Sequence, residues 1–152
     1  MSHSLTSVAI DFANPLIHPE VAFWHDDEGK ILYIIVDGLI SEECLRTEMD
    51  FFENSYRLNF MTGEFAILCQ FRKSAVISPE AFSMVETFVT GTLNTRYLPT
   101  GVALVADESV DEYLALLPRI KQFFDSDVTP FRSFYGFLEA ENWLLQLLQK
   151  KR

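Results

Sequence analysis

Three histidines (His3, His18 and His25), two cysteines (Cys44 and Cys69) and a few strand-end carboxylates are the residues through which this chain could do chemistry. Their spacing forms no catalytic constellation. All three histidines precede the main run of regular elements, and no G-x-S-x-G, H-E-x-x-H, P-loop or G-x-G-x-x-G string occurs. The cysteines sit on different expected elements without C-x-x-C spacing, which suits two reduced thiols better than a disulfide or a metal site. Asp37, Asp107 and Glu108 fall near the carboxyl ends of expected strands, where open α/β sheets bind ligands. Without identifiable partner groups they read as loop and cap carboxylates. The acidic run Asp26-Asp27-Glu28-Gly29 lacks the alternating oxygen ligands and the distant Glu of a calcium loop, and reads as a solvated turn. These residues lead us to expect no catalytic group, no metal site and no cofactor.

The elements that must position these residues centre on Phe65 to Val89. Phe65, Ile67, Cys69 and Phe71 would line one face of a strand and Ala66 and Leu68 the other, as in the interior of a sheet. The chain then enters a helix marked by Ser78 as N-cap, Pro79 at the first helical position and Glu80 at the positive dipole end. Upstream, Val21 to His25 and Lys30 to Leu39 are β-rich runs flanking the acidic turn, so they predict an antiparallel hairpin. Ser41 should cap a helix through about Tyr56, with Leu45, Met49, Phe52 and Tyr56 on a buried stripe and Glu42, Glu48 and Glu53 on a solvated face.

Downstream, Val102 to Ala106 predicts a buried strand, and the S-x-x-E spacing of Ser109 and Glu112 a capping box. That box should open a helix carrying Tyr113, Leu114, Leu117, Ile120 and Phe124 inward, kinked or broken at Pro118. Thr129 to Phe137 reads as an aromatic strand. The final helix should bury Trp143 against the sheet, with Ala140 small where it crosses a strand. This order predicts an α/β layer structure with right-handed crossovers, organised as an extension over residues 1–20 and a single domain over 21–152.

Composition sets the outer limits. A net charge of -10 over 152 residues repels phosphate backbones and anionic headgroups, so nucleic acid is not an expected partner. The 14 Phe imply an aromatic core with apolar surface to spare for a partner or an oily ligand. No run reaches a membrane span and the first residues lack signal-peptide features, so we expect a cytoplasmic protein without stable membrane insertion.

The element order, together with Phe134-Tyr135-Gly136-Phe137-Leu138-Glu139-Ala140-Glu141-Asn142-Trp143-Leu144, resembles the SpoIIAA-like branch of the STAS (anti-sigma factor antagonist) superfamily. In that branch an aromatic strand end is followed by an Ala-x-x-Trp-Leu helix. The resemblance implies a mixed sheet of four to five strands with an N-terminal antiparallel hairpin and helices mainly on one face. It also implies a non-enzymatic regulatory role through a protein partner. Phosphorylatable members carry an Asp-Ser-Ser/Thr-Gly-type turn, and this chain has Val76-Ile77-Ser78-Pro79-Glu80 at that place. Ser78 is thus the candidate phosphoacceptor, against its plain reading as a helix cap. Because helices of a sequentially wound sheet tend to gather on one side, a homodimer is expected to cover the other. CRAL-TRIO domains, which resemble this superfamily in architecture, supply an alternative: a carrier of a lipid or other apolar small ligand. Its pocket would lie among Phe82, Phe88, Phe124 and Phe134, with Phe123 and Phe131 nearby.

Overall fold

The computed structural model describes residues 17–18, 21–25, 30–36, 39–56, 64–107, 109–110, 112–124 and 128–150. Most of the expected extension, the acidic turn at 26–29, Asp37 and Glu108 lie outside the described residues.

The six consecutive apolar residues Ile31–Val36 can only be buried on both faces of a sheet, and all six are buried. They form β3. It pairs in parallel with β4 (Ala66–Phe71), which pairs in parallel with β5 (Gly101–Val105), which pairs in parallel with β6 (Phe131–Phe134). On the other side of β3 lie β2 (Val21–His25) and β1 (Ile17–His18), each antiparallel to its neighbour, so the strand order is β1-β2-β3-β4-β5-β6. Side chains alternate across this sheet. Leu32, Ile34, Val36, Ile67, Val102 and Leu104 enter one core, and Ile31, Tyr33, Ile35, Ala66, Leu68, Ala103 and Val105 enter another.

The connections explain the two cores. Helix α1 (Glu42–Phe51) joins β3 to β4, α2 (Pro79–Phe88) joins β4 to β5, and α3 (Tyr113–Lys121) joins β5 to β6. All three contribute to the first core, through Leu45, Ala81 and Leu116. Helix α4 (Phe137–Lys150) follows β6 and packs on the opposite face through Ala140, Leu144 and Leu148.

The expected fold is therefore corrected. The body of the sheet, β3–β6, is four strands and all parallel, where a mixed sheet of four to five strands built on a hairpin was expected. The N-terminal hairpin is not seen as a unit. Its turn lies outside the described residues, and what is described there is two strands added antiparallel at the β3 edge, making six in all. The premise for a covering second subunit also changes, because α4 already seals the second face over β3, β4 and β5.

The seat of α4 depends on two local features. The Tyr33 hydroxyl donates to Glu141 Oε2 at 2.6 Å, giving a carboxyl that is only 1% exposed a partner inside the second core. Gly101 lets the helix come close, since a Cβ there would stand 2.6 Å from Leu147 Cδ1 and 3.2 Å from Leu144 Cδ2. Trp143 is half-buried, where full burial was expected, and packs its ring 5.6 Å from that of Phe134.

The start of α3 also differs from expectation. The Asp107 carboxylate accepts hydrogen bonds from the Ser109 N–H (2.8 Å) and the Ser109 hydroxyl, so Ser109 belongs to a turn and caps nothing. The helix begins only at Tyr113, after Glu112 takes a left-handed φ of 64°. Pro118 sits within the helix without breaking it. The carbonyl it would crowd is that of Leu114, a residue that lies 67% exposed instead of inward, so water can take that carbonyl.

Substituting Gly101 by Val should cost about 1–3 kcal/mol, because Leu144 is fully enclosed and cannot yield. Gly101→Ala should cost less, since only the tip of Leu147 must swing. Urea unfolding of both variants checks the order, and equal stability of Gly101→Val and wild type would contradict the packing described.

Candidate functional site

Between the first face of the sheet and α1–α3 the side chains leave a cavity of about 130 Å³. The floor is the inward set of β3, β4 and β5, including Ile34, Ile67, Cys69 and Leu104. The helices supply Leu45, Glu48 and Met49 from α1, Val85 and Phe88 from α2, and Leu116 and Ile120 from α3. Two helices widen into π-helical turns as they end, α1 at Phe52–Tyr56 and α2 at Val89–Tyr97, and Phe52, Val89 and Leu93 of those turns also line the cavity. Rigid rings crowd this region. Phe52 stands 5.7 Å from Phe65, 5.6 Å from Phe88 and 5.4 Å from Tyr97, centroid to centroid. Glu48, Phe88, Ile120 and Phe124 keep partial exposure, so the space is partly open.

The wall carries a single carboxyl, that of Glu48, and no Lys, Arg or His among its described residues. Removal from water without a compensating cation pushes this carboxyl up to about 7. On the outer side of the same helix, Arg46 pairs instead with Glu42 at 3.4 Å. The solvated face expected for Glu48 is thereby corrected. Glu48 stands three residues after Leu45 and four before Phe52, a spacing that places it on the flank of the buried stripe. That signal was available, and the residue type masked it.

The residues singled out from the sequence distribute as follows. Phe88 and Phe124 line the cavity. Phe82 lies to one side, its ring 5.3 Å from Phe123 and covered by the Arg119 guanidinium at 3.8 Å. Phe134 faces the other core with Trp143, so the four rings do not form one pocket. Phe131 stacks on Phe124 at 5.3 Å. Ser78 adopts extended backbone and its Oγ accepts the Ala81 N–H at 3.1 Å, capping α2. Asp107 is exposed, and its bonds to Ser109 hold its carboxyl below the ordinary range. Cys69 is half-buried in the cavity wall. Near it, burial and then the Cys69 thiol push the Tyr113 hydroxyl up to about 12; that hydroxyl has no hydrogen-bond partner among the described residues. Among the described residues no three His, Cys, Asp or Glu gather as a metal site, and no helix is long and apolar enough to cross a membrane.

Two outcomes follow from this geometry. The Glu48 carboxyl binds its proton more tightly in the folded chain than in the unfolded one, so its contribution to stability is complete below about pH 4.5 and is lost as pH rises towards 7. Partial exposure moderates the loss to about 1–3 kcal/mol. Urea titrations of wild type and Glu48→Gln should show the variant gaining on wild type by that amount between about pH 4.5 and 8, and a pH-independent difference would refute the assignment. Ser78→Ala should cost about 1 kcal/mol while Ser78→Asp retains most of the stability, measured the same way.

Set beside protein-family models, curated proteins and solved structures, the chain matches none of them, so the functional reading rests on the chemistry of this cavity.

Proposed function

We propose that this chain is a non-enzymatic STAS-like binding module that holds a small apolar molecule in the cavity between β3–β5 and helices α1–α3. The observation that carries the reading is the cavity itself, about 130 Å³ of space walled by hydrocarbon and aromatic rings with one carboxyl. An apolar void of about 150 Å³ in a protein core stays dry and takes up benzene, whereas drug-sized ligands occupy about 300–1,000 Å³. Size therefore favours a compact molecule over a long-chain lipid.

Action through a protein partner is the second reading. It is supported by Leu39 and Val76, which are 51% and 39% exposed on adjacent segments joined by the Ile40 N–H to Val76 carbonyl bond.

Thermal unfolding in the presence of benzene tests the first reading. A ligand held only by the folded state at a hundred times its Kd stabilises by about 2.7 kcal/mol, so the midpoint should rise. The rise should vanish in Leu104→Phe, where the added ring occupies the floor of the cavity. No rise in wild type would remove the ligand reading and leave the partner surface as the better account.

A further inference from the structure

Among its described residues the cavity wall offers an entering molecule one carboxyl, that of Glu48, with the Leu45, Met49, Phe52, Ile67 and Cys69 side chains sharing that wall. Equal apolar bodies with different heads would fare differently there. A bare hydrocarbon fills the space and leaves the carboxyl without a hydrogen-bond partner from the ligand. A carboxylate brings a second negative charge into a wall without a cation among its described residues. An ammonium must give up its hydration and also draw the proton off Glu48 in poorly polarisable surroundings. A neutral hydroxyl suits best, since it accepts from the protonated carboxyl and donates to its carbonyl oxygen.

Volume limits the rest of the molecule to about the size of one small ring or a short branched chain. Glu48 keeps partial exposure as a residue while its carboxyl is withdrawn from water, so the polar contact lies in the wall of the cavity. We propose that the cavity selects a small apolar molecule bearing one neutral hydroxyl, a phenol or a short-chain alcohol, and that Glu48 is the specificity-determining residue that recognises that hydroxyl. This inference rests on the reading of the cavity as a ligand site. The tendency of Glu48 to keep its proton near neutrality agrees with it, because only the neutral carboxyl offers both a donor and an acceptor.

The test compares phenol, benzene, benzoate and benzylamine at about pH 6, where Glu48 retains its proton. Binding is followed by the methyl NMR shifts of Ile34, Ile67 and Ile120, all of which line the cavity. Wild type should bind phenol about five- to tenfold more tightly than benzene, the gain expected of one hydrogen bond. Glu48→Gln, which keeps a donor and an acceptor, should preserve that preference, and Glu48→Leu should abolish or reverse it. Phenol binding no better than benzene in wild type, benzoate or benzylamine binding more tightly than phenol, or an undiminished phenol preference in Glu48→Leu would each overturn the inference. In those cases, methyl shifts produced by benzene would still uphold the cavity as a ligand site. Absence of methyl shifts with all four probes, in wild type and Glu48→Leu alike, would overturn both readings together.

Discussion

Three adjacent parallel strands with apolar side chains on both faces are the constraint on which this fold depends. β3, β4 and β5 supply Ile31–Val36, Ala66–Phe71 and Gly101–Val105, and such strands must be covered twice. The three crossover helices collect on one side because the strands are laid down in sequence order, which leaves the second face without a crossover to cover it. The chain resolves this with α4. Its small Ala140 and the bare backbone of Gly101 allow close approach, and Tyr33 satisfies the one buried carboxyl the helix brings with it.

The same constraint separates the two faces functionally. Among the described residues a single helix lies on the second face, and it comes close to the sheet at Gly101. On the first, three helices, two of them ending in π-helical turns, together with a set of stiff rings, must share one sheet surface, and their meeting leaves the cavity. Aromatic rings have few ways to adapt to a gap, so space between three helix ends is harder to close than space beneath one helix. The lone carboxyl in that space turns a packing vacancy into a place with chemical preference. Glu48 is costly to hold there as an anion, so it keeps its proton well above the ordinary carboxyl range, and the cost to stability becomes small only as pH falls towards 4.5.

Much of the secondary structure was legible because its signals are local. The six-residue apolar run of β3, the Ser78-Pro79-Glu80 start of α2 and the Ala140, Leu144 and Leu148 stripe of α4 each follow from backbone geometry and side-chain type within one or two turns. Errors arose where a local signal met a stronger local competitor. Asp107 captured Ser109 before it could cap, and a helix start delayed to Tyr113 turned Leu114 outward. The four phenylalanines grouped as one pocket were separated because sequence spacing cannot say which side of a sheet a later element will choose, and Phe134 lies on the side opposite Phe88 and Phe124.

The chain's composition and periodicity by themselves determined an α/β structure with strands apolar on both faces, the four helices among the described residues and the cap at Ser78, since each depends on neighbours within a few residues. Tertiary structure alone decided that α4 would cover the second face, that Gly101 and Tyr33 would form its seat, and that three helices would leave a cavity with Glu48 in its wall. The reason is physical: burial of a side chain at a helix flank depends on what packs beside that helix, and a cavity is a property of surfaces that meet only after distant segments have folded together.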